Sequence, residues 1–302
     1  MFKRAVSDLL IGILMGVMLT GCGSLSKDQA PKEPSAKGGA DPQERSEGGD
    51  AEETEIQVFI AASLNAVMTE LAEKYNEERP EVKITYNADS SGTLLTQIQE
   101  GYECDIFFSA ASKQMDQLEA AGLMEEGTRA DVLNNQVVVV TLKDSGTKVT
   151  GLEDIDRAES FALAGGSVPA GKYTRQALVN LGVLEEAEDV SAITAEQVSE
   201  ALGGLEISEQ DNVSKVLSAV AEASCEVGTV YYSDIYGYED QLKILETVSY
   251  DLTGNVIYPV ARVVNDEADA AQKAAADDFM KFILSDEAKE IFDSYYFDTD
   301  VE

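Results

Sequence analysis

Apolar positions along the chain switch repeatedly between two periods. Glu55-Ile56-Gln57-Val58-Phe59-Ile60 alternates and then turns continuously apolar, which predicts a strand entering a buried sheet. Leu64, Val67, Met68, Leu71, Ala72 and Tyr75 then recur at helical spacing, with Ser63 placed where an N-cap belongs. Val82 to Tyr86 predicts a second strand, followed by a helix carrying Leu94, Leu95 and Ile98. Cys104 to Phe108 predicts a third strand, and Met115, Leu118 and Leu123 a third helix. Strand alternating with helix implies a parallel sheet covered on both faces.

The alternation then restarts. Asn135 to Leu142 is a Val-rich buried strand, and residues 150–160 read as a loop with one short helix. Phe161 to Ala164 is a strand ending in Gly165-Gly166-Ser167-Val168-Pro169-Ala170-Gly171, and the next helix carries Tyr173, Ala177, Leu178 and Leu181 up to Gly182. Residues 185–209 are acidic and loosely helical, and are expected at the periphery. Asp211-Asn212 caps a helix with Val213, Val216, Leu217 and Val220; Val227 to Tyr232 is a strand; Ile257 to Val264 is a late strand followed by two terminal helices. The expectation is two αβ units in series, with a C-terminal portion able to return to the first.

Before the first strand the pattern is of another kind. Met1-Phe2-Lys3-Arg4 is basic, and Leu9 to Thr20 is an apolar run too short for a confident membrane span. Leu19-Thr20-Gly21-Cys22 matches a bacterial lipobox, so residues 1–21 are read as a lipoprotein signal peptide and Cys22 as the lipid-modified first residue. Residues 22–54 are rich in Gly, Ser, Lys, Asp, Glu and Pro with little to bury, and are expected to form a disordered tether.

Composition removes several function classes. Lys+Arg number 22 against 57 Asp+Glu, a formal charge of −35, which argues against nucleic acid and against docking on anionic lipid through a basic patch. Membrane contact is therefore expected through the lipid anchor alone. The chain has no His, so the usual general base and the commonest zinc ligand are missing. Cys104 and Cys225 could pair in an exported protein, but both lie in apolar surroundings, and two buried free thiols is the favoured reading.

Four places share one character: Ala62-Ser63-Leu64, Ser90-Ser91-Gly92-Thr93, Val168-Pro169-Ala170-Gly171 and Asn212-Val213-Ser214. Each is a helix start built from small, hydroxyl or amide residues, without Lys or Arg. Backbone N–H groups at a helix start lack intrahelical partners and carry partial positive charge. In an open α/β sheet such starts gather along one edge. Two from each half of the chain could converge on a cleft that traps an anion with neutral donors.

These residues, with Asp105-Ile106-Phe107-Phe108-Ser109-Ala110, Val168 to Tyr173, Gly228 to Asp234 and Tyr258-Pro259-Val260-Ala261, resemble the periplasmic molybdate-binding proteins. Those are the substrate-binding components of molybdate/tungstate ABC importers, and the likeness runs from about Ile56 to Phe297. It implies a two-lobe α/β periplasmic-binding-protein fold of type II, each lobe a mainly parallel sheet flanked by helices. The lobes would be 55–137 with a return at 258–302, and 138–257. It also implies a ligand shell of Ser63 and Ser91 (hydroxyl and backbone donors), Ala170 and Val213 (backbone donors) and Tyr231 (phenolic donor). Gly92 stands where relatives often carry Ser, and permits close backbone approach. Molybdate or tungstate would be ligand rather than cofactor, held through its oxygens without protein–metal bonds. The partner would be a membrane permease, and the protein a monomer.

Rival readings remain open. A binding protein for sulfate or another oxyanion needs the same donors. An organic carboxylate calls for an Arg fork, and Arg175 is the nearest candidate, but it reads as a solvated residue within a helix. A hydrolase would need Ser63 or Ser91 with Lys172, since no His can complete a triad. A surface adhesin would bind no small ligand.

Overall fold

The computed structural model describes residues 53–301, all within one packed unit. The expected signal peptide (1–21), Cys22 and nearly all of the expected tether lie outside the described residues, although Thr54, assigned to the tether, is the first residue of a strand. Among the described residues, no helix is long and apolar enough to cross a membrane.

The first half runs β1 (Thr54–Ala61), α1 (Asn65–Glu78), β2 (Val82–Asp89), α2 (Ser91–Gln99), β3 (Ile106–Phe108), α3 (Ser112–Ala120) and β4 (Ala130–Leu133). The chain then enters a second sheet with β5 (Val137–Leu142), β6 (Ser160–Ala164), α4 (Pro169–Asn180), α5 (Ala195–Ala201), β7 (Glu206–Gln210), α6 (Val213–Ala221), β8 (Val227–Tyr231) and β9 (Leu242–Thr247). After the short α7 (Tyr250–Thr253) it returns with β10 (Tyr258–Arg262), α8 (Ala270–Ile283) and α9 (Asp286–Ser294).

Two five-stranded sheets result, in the orders β2-β1-β3-β10-β4 and β7-β6-β8-β5-β9. In the first, β1 pairs in parallel with β2 and β3, while β10 is antiparallel to both β3 and β4. In the second, β6 pairs in parallel with β7 and β8, and β5 is antiparallel to β8 and β9. Each sheet is therefore mixed, with the single strand that crosses over from the other lobe running against the rest. That reversal follows from the path: β5 and β10 are entered from the neighbouring lobe rather than through a helical crossover, so they need not run parallel. Val137 opens the second sheet.

Burial follows the periodicity. Val137 to Val140 are fully buried, as suits β-branched residues in a strand covered on both faces. α1 buries Val67, Met68, Leu71 and Tyr75 on one stripe, and Tyr75 meets the rings of Phe279 and Phe282 from α8. Helices from the C-terminal return thus close the first lobe's core. Cys104 and Cys225, the cysteines among the described residues, are free and buried.

Three strands escape the sequence pattern. β4 has four residues; β9 carries charged Lys243 and Glu246 among its apolar residues; β7 lies in the acidic stretch expected to be loosely helical. β7 and β9 are sheet edges, where one exposed flank and charged side chains guard against further pairing and erase the apolar signal.

Candidate functional site

The helix starts of the two lobes face one another across a narrow, half-open cleft. Ser63, Ser91, Ala170, Val213 and Tyr231 all stand on its wall. α2 follows β2, α4 follows β6 and α6 follows β7, so each helix begins at the C-terminal edge of its sheet. Among the described residues, the cleft wall includes no Lys or Arg.

Each wall residue reaches its place by a different local device. Ser90 is the N-cap of α2: its Oγ accepts from the Thr93 N–H at 3.1 Å. Ser91, one residue on, is freed from capping and is fully buried; its Oγ accepts from the Ala110 N–H at 2.9 Å. That leaves the Ser91 hydroxyl proton for the cleft. Asn212 caps α6 through the Lys215 N–H at 3.0 Å and sets Val213 at the first helical position. Pro169 takes the first position of α4, where a missing N–H is harmless, and Ala170 follows. At these positions a backbone N–H has no intrahelical acceptor.

Ser63 departs from expectation. It does not cap α1, which begins at Asn65, but lies in a single 3₁₀ turn (Ala62–Leu64). Its Oγ instead meets the Tyr258 hydroxyl at 3.0 Å. The partner lies 195 residues away, so the sequence offered only the capping alternative. Tyr231 ends β8 with its ring buried, and its N–H donates to Asp234 Oδ2 at 2.8 Å. Its hydroxyl is buried with no hydrogen-bond partner among the described residues. Burial holds that phenol well above its ordinary pKa, so it can act only as a protonated donor or a neutral acceptor.

Two residues were missed or misread. Asp89, at the end of β2, is also on the wall, so the lining is not composed of donors alone. Its Oδ1 accepts from the Ser90 N–H at 2.7 Å and, across the cleft, from Asn212 Nδ2 at 3.1 Å. Arg175 is not solvated but fully buried, and donates to the carbonyls of Ala164 (2.7 Å), Gly171 (3.0 Å) and Ile193 (2.8 Å). It fixes the turn that presents Ala170 rather than offering a fork to a ligand. Burial lowers its pKa, against the attraction of Glu209.

Several contacts hold the lobes together around this cleft. Besides Asn212 to Asp89, Ser214 Oγ donates to the Ala62 carbonyl at 3.3 Å. Lys113 Nζ in α3 reaches Asp189 Oδ2 at 2.9 Å and Ser191 Oγ at 3.1 Å in the second lobe. At Gly92 the backbones come so close that a Cβ would lie 2.8 Å from the Ser167 carbonyl oxygen. Lys172 lines a separate surface depression with Lys113 and Asp189 rather than the cleft wall. No cluster of three or more His, Cys, Asp or Glu suited to a metal ion occurs among the described residues.

Two lobes closed over a small pocket lined by helix starts define a ligand-capturing protein. Residues 56–298 match the family of bacterial extracellular solute-binding proteins, and the chain belongs to that family. Among its relatives, the molybdate-binding protein ModA of Escherichia coli (strain K12) is 33% identical over 255 residues, 82% of this chain and 90% of that protein. The molybdate-binding protein ModA of Haemophilus influenzae is 28% identical over 254 residues, 82% of this chain and 91% of that protein. The periplasmic molybdate-binding protein of Azotobacter vinelandii has a similar fold, with a TM-score of 0.66 at 19% identity over 80% of this chain and 98% of that one.

Proposed function

We propose that this protein captures a fully deprotonated tetrahedral oxyanion, molybdate or tungstate, between its lobes and delivers it to a membrane ABC permease. Ser63, Ser91 and Tyr231 donate through hydroxyls, and Ser63, Ser91, Ala170 and Val213 through backbone N–H groups. The observation that carries this reading is the convergence of helix starts from both lobes on one cleft, joined by the unpartnered Tyr231 hydroxyl. The named molybdate-binding relatives support the choice of anion. Cys22 serves as the lipid anchor, and the chain ahead of Thr54 as the tether.

The energetics suffice without a cation. A hydrogen bond to a charged group contributes roughly 1.5–3 kcal/mol, and micromolar affinity needs about 8 kcal/mol. Five to seven such bonds therefore reach it even after the cost of holding the lobes closed. The net charge of −35 is no obstacle, because exposed charges beyond about 8 Å are screened at physiological salt. Hydrogen phosphate brings a proton that needs an acceptor; on the cleft wall the Asp89 carboxylate, whose Oδ1 already takes two donors, is the group that could supply one through Oδ2, so phosphate belongs among the ligands compared. Sulfate shares the charge state and differs in size, which makes it the second reading.

Thermal unfolding with molybdate, tungstate, sulfate, phosphate and no addition tests this. At a hundredfold excess over Kd, a ligand of the native state adds about 2.7 kcal/mol, or roughly 5–10 °C in a domain of this size. A shift with molybdate and tungstate alone supports the reading. A shift with sulfate alone moves the function to the second reading, and no shift with any oxyanion refutes both.

A further inference from the structure

We propose that Tyr258 is a positioning residue that sets which way the Ser63 hydroxyl points, fixing it as a donor toward the cleft. The inference rests on the oxyanion reading above and deepens it. Ser63 and Tyr258 share a hydrogen bond whose direction the heavy atoms alone leave open, and the residues behind Tyr258 decide it.

Asn135 lies in the segment where the chain passes from the first sheet to the second, and it is buried. Its Oδ1 accepts from the Gln136 N–H at 2.9 Å, which turns its Nδ2 toward Ser233 Oγ at 2.8 Å and the Tyr258 hydroxyl at 3.4 Å. An amide NH₂ has no acceptor capacity, so the Tyr258 oxygen must accept from it. The single Tyr258 proton is then left for Ser63 Oγ. Tyr258 is fully buried, and burial holds its phenol well above the ordinary pKa, so that proton stays in place.

With a lone pair of Ser63 taken by Tyr258, the Ser63 proton is free for the cleft. Reversed, Ser63 would donate backwards and face an anion with lone pairs. Ser91 is set the same way by a backbone group, the Ala110 N–H. Ser63 and Ser91 thus each have an acceptor site filled from behind, and a preset donor has no reorientation cost when a dianion arrives. Tyr258 also stands edge-on to Tyr231, with ring centroids 5.8 Å apart, so one residue backs two side-chain donors.

The test is a double-mutant cycle read by titration calorimetry with molybdate and with sulfate, using Tyr258→Phe, Ser63→Ala and the double variant. If the relay operates, Tyr258→Phe weakens molybdate binding by about tenfold, and adding it to Ser63→Ala costs no more than Ser63→Ala alone. That non-additivity separates orientation from structural support, because a hydroxyl that only steadied the fold would cost the same in both backgrounds. Asn135→Ala gives a second route should Tyr258→Phe fold poorly: its loss of affinity should likewise vanish in the Ser63→Ala background. Wild-type binding with additive losses, or an unchanged Kd in Tyr258→Phe, overturns the relay alone. Absence of wild-type binding to any oxyanion overturns the relay together with the reading on which it rests.

Discussion

Replacing Tyr231 by Phe should move binding and ligand-free stability in opposite directions. The ring is buried to 1% exposure, and its hydroxyl has no partner among the described residues. The substitution keeps the ring, its edge contact with Tyr258 and the backbone bond to Asp234. Without ligand it removes a buried polar group that has no protein partner, a group whose desolvation costs about 1–3 kcal/mol. The ligand-free variant should therefore hold or raise its Tm, by up to about 2–4 °C for each kcal/mol recovered. With ligand the same change deletes a hydrogen bond to an anion, worth roughly 1.5–3 kcal/mol, so Kd should rise by about 10- to 150-fold. Calorimetric titration gives the second quantity, and thermal unfolding with and without molybdate gives both. A Kd within about twofold of wild type would refute the assignment of the hydroxyl to the ligand. A fall in ligand-free Tm of more than about 3 °C would show instead that the hydroxyl has a structural partner.

Gly92→Ser should hinder closure, because its Cβ would meet the Ser167 carbonyl oxygen at 2.8 Å, a backbone atom that cannot rotate away; with overpacking of about 1–3 kcal/mol, ligand release followed by stopped flow should accelerate by about tenfold or more. An unchanged release rate would mean the lobes do not approach there when ligand is bound. Asp234 has its carboxyl pKa pushed up to about 7 by burial, against the opposing hydrogen bond from the Tyr231 N–H. A carboxyl raised above its unfolded value near 4 contributes most stability below about pH 4 and loses it as pH rises through about 7. Asp234→Asn should thus gain on wild type in urea unfolding between about pH 4 and pH 8, and a pH-independent difference would remove Asp234 from that role. Arg175→Met strands three carbonyls that the guanidinium now satisfies, so unfolding free energy should fall by about 3 kcal/mol or more; a loss below about 1 kcal/mol would mean the site repacks.

By itself the sequence determined the elements whose burial is one-sided or complete along a local run. The period of apolar residues marks β1, α1, α4, α6 and β8, because a helix or strand facing one core must repeat its contacts every turn or every second residue. It also marked the starts of α2, α4 and α6, where small, hydroxyl or amide residues precede an apolar helical run and are legible before any partner is known. Ala170 and Val213 show the limit of that signal. They offer backbone N–H groups, so their side chains carry no trace of the role, and only family resemblance singled them out.

Tertiary structure decided whatever depends on residues far apart in the chain. The edge strands β4, β7 and β9 each pair on one flank with little apolar demand, and their sequences carry little apolar signal. The reversal of β5 and β10 follows from how two lobes exchange strands, which no local period encodes. Arg175 reads as a solvated helix residue until the α4 start, β6 and the turn after Val190 close around it. Ser63 reads as a cap until β10 brings Tyr258 to its oxygen, and Asp89, beyond the strand read from Val82 to Tyr86, shows no role until Asn212 meets it across the cleft. Local pattern fixes which face of an element must be buried; which distant group then satisfies each polar atom is fixed only when sheets and lobes come together.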